Sequence, residues 1–258
     1  MDLGLEGKTV VVTGGSEGIG LAIAKAFKEE GARVVIAARG LEKLEKASAE
    51  HGFDIFQFDA LESDGFYRLS DYAFSLSGRL DVWINNVGAS VPRSNGDEYS
   101  PEDIRWTEKM CFDSVVHGCQ AAFRHMRERG GAIVNISSLA ARQGTAGRST
   151  LYGPLKAAVV VLSRNLAAEA APYGIRVNAV MPGFTRTEAV RRGVSESDKR
   201  AVSERTLIPR MAEPEEIAAP VVFLCSDKAS YITGASLEVS GGREVVLNPS
   251  IAHPKVVK

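Results

Sequence analysis

The sequence predicts an α/β protein organised as one doubly wound parallel sheet with helices on both faces, and three observations carry that prediction. Short β-branched runs alternate with helix-length amphipathic stretches along the 258 residues, as expected for parallel strands joined by crossover helices. A glycine-rich turn separates the first such run from the first helical stretch, the arrangement that brings backbone close to a bound phosphate. No linker, low-complexity tract or internal repeat breaks the alternation, so residues 1–258 are read as a single domain.

The first unit is "VVVTGGSEGIG", in which Gly14, Gly18 and Gly20 stand after a strand and at the mouth of the helix "LAIAKAFKEEG". Glycine allows close approach of backbone to a pyrophosphate, and the helix start offers free N–H groups and a positive dipole end. The second unit is "RVVIAARG" followed by "LEKLEKASAEHG". Its strand ends where a dinucleotide fold meets the adenosine ribose, and Ala38 and Arg39 stand there in place of an acid. An arginine can clamp a 2′-phosphate. This favours NADP(H), with NAD(H) left open because Glu17 in the glycine turn would repel that phosphate.

"LDVWINNVG" and "IRVNAVMPGFTRT" each end a strand in amide, glycine or hydroxyl residues, which suits the crevice at the carboxyl edge of a parallel sheet. Between them, "IVNISSLAARQGTAGRSTLYGPLK" brings a serine pair to a loop and then to Tyr152 and Lys156. The i, i+4 spacing places both side chains on one helix face, and Pro154 is tolerated in a first turn. A tyrosine with a reference pKa of about 10 needs roughly 2 to 3 units of stabilisation to serve as a base at neutral pH. A lysine ammonium on the same face supplies part of it, and an oxidised nicotinamide supplies more.

Two segments depart from the alternation. Residues 184–210 are charged, carry Arg186, Arg191 and Arg192, and are read as a lid over the binding crevice. Residues 243–258 form a C-terminal extension. The formal net charge of -1 draws the chain toward neither nucleic acid nor an anionic membrane. Cys111, Cys119 and Cys225 are odd in number and lack metal-ligand spacing, so neither a disulfide framework nor a metal site is expected. With no export signal or apolar run long enough to span a bilayer, a cytoplasmic location is expected.

Taken in order, the glycine turn, the "NNVG" strand end, the serines and the Tyr-x3-Lys pair resemble the short-chain dehydrogenase/reductase family, from about Leu5 to Gly242. The resemblance implies a Rossmann-like fold and an NAD(P)(H)-dependent oxidoreductase that interconverts a secondary alcohol and a ketone. It implies catalytic roles for Ser138, Tyr152 and Lys156, with Ser137 the weaker serine candidate. Its cofactor contacts fall on Gly14, Ser16, Glu17, Gly18, Ile19, Gly20 and Arg39, then on Asp59 and Ala60 of "FQFDA". They continue through Asn86, Val87 and Gly88 to Tyr152 and Lys156, and end on Pro182, Gly183, Thr185 and Thr187; Asn85 opens the amide motif. "YITGASLEVSGG" is similar to the family's closing strand.

Two departures stand out. The interval from Ser138 to Tyr152 is one residue longer than expected, and Cys111 occupies the place where the family usually carries an asparagine. A thiol cannot supply both hydrogen-bonding ends of an amide, so the expectation is a modified proton relay around a buried thiol. A non-catalytic NADP(H)-binding regulator or scaffold is the alternative that this departure supports. Enoyl reduction is less attractive, because such relatives space the tyrosine and lysine wider. A hydrolase lacks a histidine and acid to serve either serine. The substrate class stays open among 3-oxoacyl, hydroxysteroid and sugar-like compounds. A homotetramer, or a dimer, is implied through the helices that hold Cys111 and Tyr152 and through the last strand.

Overall fold

The computed structural model describes residues 2–91, 96–144, 150–188, 190, 195–243 and 245. Strands β1 (Thr9–Thr13), β2 (Arg33–Ala38), β3 (Asp54–Gln57), β4 (Val82–Asn85), β5 (Gly131–Ile136), β6 (Ile175–Pro182) and β7 (Ser236–Val239) form one parallel sheet. Their order is β3-β2-β1-β4-β5-β6-β7. The direction of winding therefore reverses between β1 and β4, and a crevice opens at their carboxyl ends, where ligands of such sheets bind. Val10 marks the junction, paired with Val34 of β2 on one side and Val82 of β4 on the other.

Alternate strand residues face opposite sides, so each continuous apolar run feeds two cores. Val10, Val12, Ile36 and Ile84 pack under α1 (Gly18–Glu29), α2 (Leu41–His51) and α8 (Pro214–Cys225). Val11, Val35, Trp83 and Ile133 pack under α3 (Ser63–Ser75), α5 (Ser114–Met126) and α6 (Tyr152–Ala170). The C-terminal carbonyls of α8 find a partner in Arg176, whose half-buried guanidinium donates to Leu224 O at 2.6 Å, Ser226 O at 3.1 Å and Ile232 O at 3.1 Å. Burial holds this guanidinium below its ordinary pKa.

Helix starts divide into two kinds. The helix α4 (Pro101–Glu108) is closed by a capping box between Ser100 and Asp103, and α8 by one between Glu213 and Glu216. The start of α1 at Glu17 has no side-chain cap. Its free N–H groups face the crevice entrance left by the glycine turn. Between α4 and α5 the chain makes a π-helical turn over Lys109–Asp113, which widens the helix at Cys111. Of the segment expected to be a lid, α7 (Glu196–Glu204) is helical. Residues 189 and 191–194, and with them Arg191 and Arg192, lie outside the described residues, as does the C-terminal extension apart from Arg243 and Val245.

Candidate active site

The crevice is a cavity of about 1060 Å³, large enough for a dinucleotide with a small substrate beside it. Its wall includes Gly14, Ser16, Glu17, Gly18, Ile19, Arg39, Ala60, Asn86, Val87, Gly88, Ser138, Tyr152, Lys156, Pro182, Gly183, Thr185 and Thr187. The fold thus gathers nearly every residue singled out in the sequence. Of the expected catalytic and cofactor-contacting residues, Gly20 and Asp59 do not line it.

Gly20 works one layer behind. A Cβ there would stand 2.2 Å from Gly14 O and 2.6 Å from Asn86 Nδ2, so glycine is required for α1 to seat against the turn. Gly14 takes φ +65° and Gly18 φ +57°, a region that favours glycine. The amide of Asn86 holds this turn, donating to Thr13 O and Gly14 O at 3.1 Å each. Asp59 turns inward on its own loop, accepting from Leu61 N at 3.0 Å, and Phe58 and Ala60 form the cavity wall instead.

At the end of β2 the Arg39 guanidinium is exposed and, among the described residues, makes no hydrogen bond or ion pair; its backbone carbonyl accepts from Gln57 Nε2 at 2.9 Å. Glu17, the carboxylate expected to repel a phosphate, is paired with Lys43 Nζ at 2.6 Å. Lys43 lies in the first turn of α2 and lines the same cavity. Sequence reasoning missed it, because residues 26 apart meet only once β2 and α2 are docked on β1.

At the other end, β5 delivers Ser137 and Ser138 to the start of a short 3-10 turn over Leu139–Arg142. The two serines have different tasks. Ser137 is buried, and its hydroxyl donates to Lys156 O at 2.7 Å, fixing the first turns of α6. Ser138 lies beside Tyr152 and favours its ionised form, and its own oxygen accepts from Ala140 N at 3.1 Å. Gly153 explains how α6 comes so close, since a Cβ there would meet Ala140 O at 2.8 Å.

Lys156 is fully buried, with Nζ donating to Ile136 O at 2.8 Å and standing 5.7 Å from the centroid of the Tyr152 ring. Gly88 makes room for it, because a Cβ at that position would lie 2.7 Å from Lys156 Nζ. Burial holds the Lys156 ammonium below its ordinary range. Burial also pushes the Tyr152 phenol up to about 12, helped by the nearby Cys111 thiol and opposed by Ser138. The part of the phenolate stabilisation expected from Lys156 is therefore outweighed by desolvation.

Cys111 sits inside the π turn, fully buried, with Sγ donating to Ala89 O at 3.0 Å. Burial raises its thiol, so it stays protonated and ties the segment after β4 to the helix. Behind it lies a polar chain in the core. Trp83 Nε1 donates to Asn85 Oδ1 at 2.7 Å, Asn85 Nδ2 to Asn135 Oδ1 at 2.8 Å, and Asn135 Nδ2 to Ser163 Oγ at 2.9 Å. Asn85 thus locks β4, β5 and α6 together, while its neighbour Asn86 shapes the cavity. Met110, Leu139, Ala140, Gln143, Phe184 and Arg243 complete the wall near Tyr152. The Arg243 guanidinium lies 6.0 Å over the Phe184 ring. Arg186, expected to meet substrate from the lid, is paired with Glu213 at 3.3 Å.

The glycine cradle, the uncapped α1 start and the free Arg39 fit a nicotinamide dinucleotide. Comparison with known proteins agrees. A family model described as enoyl-(acyl carrier protein) reductase matches residues 14–244. L-rhamnose 1-dehydrogenase (NAD(P)(+)) of Azotobacter vinelandii is 38% identical over 248 residues, covering 91% of this chain and 96% of that protein. The NADP-dependent (R)-specific alcohol dehydrogenase of Lentilactobacillus kefiri is 36% identical, covering 92% and 97%. The crystal structure of gox2181 superposes with a TM-score of 0.89 at 30% identity, covering 93% and 97%.

Proposed function

The chain belongs to the short-chain dehydrogenase/reductase family and is an NAD(P)-dependent oxidoreductase, and from that premise we propose that it reduces a ketone to a secondary alcohol with NADPH. The observation that carries this reading is the Tyr152 side chain at one end of the cavity, beside Ser138 and with Lys156 Nζ 5.7 Å from its ring centroid. Burial pushes that phenol up to about 12, so at pH 7 it is protonated. In the resting protein Tyr152 therefore carries a proton to give, which suits reduction of a carbonyl.

The nicotinamide, when bound, supplies the carbon that gives or takes hydride. The chain's own residues do the rest. Ser138 donates to the carbonyl oxygen, Tyr152 delivers its proton to that oxygen, and Lys156, anchored on Ile136 O, stabilises the phenolate left behind. Gly14, Ser16, Gly18 and Ile19 would hold the phosphates, with Asn86 holding the turn. Val87, Gly88, Pro182, Gly183, Thr185 and Thr187 would hold the nicotinamide half. Preference for the 2′-phosphate rests on Arg39 with Lys43, whose pairing offsets the charge of Glu17.

Replacing Tyr152 by Phe should lower ketone reduction by at least about 10²-fold, the usual contribution of a positioned acid, while NADPH binding by calorimetry changes little. Retained turnover in that variant would overturn the assignment. Since the matching family model is described by enoyl reduction, a 2-enoyl thioester belongs in the same assay; turnover of it in preference to ketones would move the proton of Tyr152 to a different acceptor. The named sugar and alcohol dehydrogenase relatives support the ketone.

The assembly we favour is a homotetramer. On α6 Val161 is 55% exposed although the helix is apolar around most of its girth, and Tyr231 near β7 is fully exposed; light scattering that gives a monomer excludes it. Among the described residues no helix is long and apolar enough to cross a membrane, and the three cysteines are free and buried, which supports a reducing, cytoplasmic setting.

A further inference from the structure

We infer that the ketone substrate carries a carboxylate, joined to the reacting carbonyl by a carbon chain or ring, and that the Arg243 guanidinium recognises it. This inference rests on the ketone reading above and narrows it to oxo acids. Two contacts carry Arg243 to the nicotinamide end of the crevice. Beyond β7 the chain passes Ser240, which packs so closely on Gly183 that a Cβ on the glycine would stand 2.8 Å from Ser240 Cα. Three residues on, the Arg243 guanidinium lies 6.0 Å over the Phe184 ring, and both residues line the cavity that holds Tyr152. The turn between is tightly held. Gly241 and Gly242 take φ +67° and +73°, Gly241 O accepts from Ile208 N at 3.0 Å, and a Cβ on Gly242 would meet Leu207 Cδ1 at 2.8 Å.

Among the described residues the charged side chains of the crevice wall are Glu17, Arg39, Lys43, Lys156, Glu188 and Arg243. Glu17 and Lys43 pair with each other, near Arg39 at the adenosine end. Lys156 is fully buried and donates to Ile136 O. Glu188 is exposed and follows Thr187, whose Cγ2 would lie 3.3 Å from a Cβ on Gly18, so it belongs with the phosphate turn. Arg243 is therefore the cation of the substrate end. It is half-buried over an aromatic ring, a setting with less water in which its pull on an anion is stronger. A guanidinium has five N–H donors, and a carboxylate needs two of them, so a bond within the protein does not exhaust it. Met110, Leu139 and Phe184 add carbon to the same end of the wall. An oxo acid would present its carbonyl to Ser138 and Tyr152 and its carboxylate to Arg243, with its carbon chain along those side chains.

The test sets 4-oxopentanoate, 5-oxohexanoate and 4-acetylbenzoate each against its methyl ester, with NADPH at pH 7. In the wild-type protein at least one acid should exceed its ester in kcat/KM by about 10- to 100-fold, chiefly through KM. In Arg243→Met that ratio should fall to within about threefold of one. In Arg243→Lys, which keeps the charge and loses the planar fork, it should lie between the two. Esters reduced as well as their acids in every pair, or an acid preference that survives in Arg243→Met, overturn the inference and leave the ketone reading standing. If Arg243→Met does not fold, Arg243→Lys decides, and an unchanged ratio there overturns the inference. Reduction of none of the acids and esters overturns it as well. The broader reading fails only if, in addition, the uncharged 2,2,2-trifluoroacetophenone is not reduced and calorimetry shows no dinucleotide binding.

Discussion

Replacing Gly118 by alanine sets two effects of opposite sign against each other. Gly118 lies within α5, and an alanine Cβ there would stand 1.9 Å from Asn85 Oδ1 and 2.8 Å from Trp83 Nε1. Those two atoms form a buried hydrogen bond of 2.7 Å, and Asn85 also donates to Asn135 Oδ1 at 2.8 Å. Trp83, Asn85 and Asn135 are at most 2% exposed, so water cannot replace what is lost. Stranding one of these groups costs about 1–3 kcal/mol, and the forced displacement of Asn85 adds about 1–3 kcal/mol of overpacking. Alanine gains back about 1 kcal/mol over glycine within a helix. The net expectation is a destabilisation of about 1–5 kcal/mol, read as a lower urea midpoint at unchanged slope. Since Asn85 precedes the amide that holds the glycine turn, NADPH affinity should fall as well. A variant as stable as the wild type, or about 1 kcal/mol more stable as propensity alone requires, would show that the amide chain yields freely and does not lock the sheet.

Other outcomes follow from the same geometry. Arg39→Ala should weaken NADPH binding by about 10- to 100-fold, the worth of a charge-assisted contact, and leave NADH nearly unchanged; Glu17→Gln should shift the NADPH-to-NADH affinity ratio upward, and calorimetric titration reads both. Ketone reduction should hold a flat pH profile from about pH 6 to 9, because a Tyr152 phenol at about 12 stays protonated throughout; a fall centred near neutrality would contradict the assignment. The pairing of Glu216 with Arg210, at 2.5 and 2.7 Å, holds that carboxyl at about 2 against an ordinary 4.5. Its contribution to stability is full above 4.5 and is lost as the pH falls through 2, so the deficit of Glu216→Gln seen at pH 7 in urea unfolding should close over that window.

Much was legible in the amino acids alone because it is encoded locally. Apolar runs buried on both faces of a parallel sheet, glycines at the β1–α1 turn and the four-residue step from Tyr152 to Lys156 all express the chain's own periodicity, and the contacts implied by the family resemblance account for about half of the cavity wall. What tertiary structure decided depends on segments far apart in sequence. Ser137 and Ser138 are chemically alike, and only the docking of α6 turned one toward the Lys156 carbonyl and the other toward the Tyr152 hydroxyl. Lys43 reaches Glu17 across 26 residues, and Gly88 has its reason in the Lys156 ammonium. The Tyr152 pKa follows from how much water the folded walls exclude, a quantity that no spacing records.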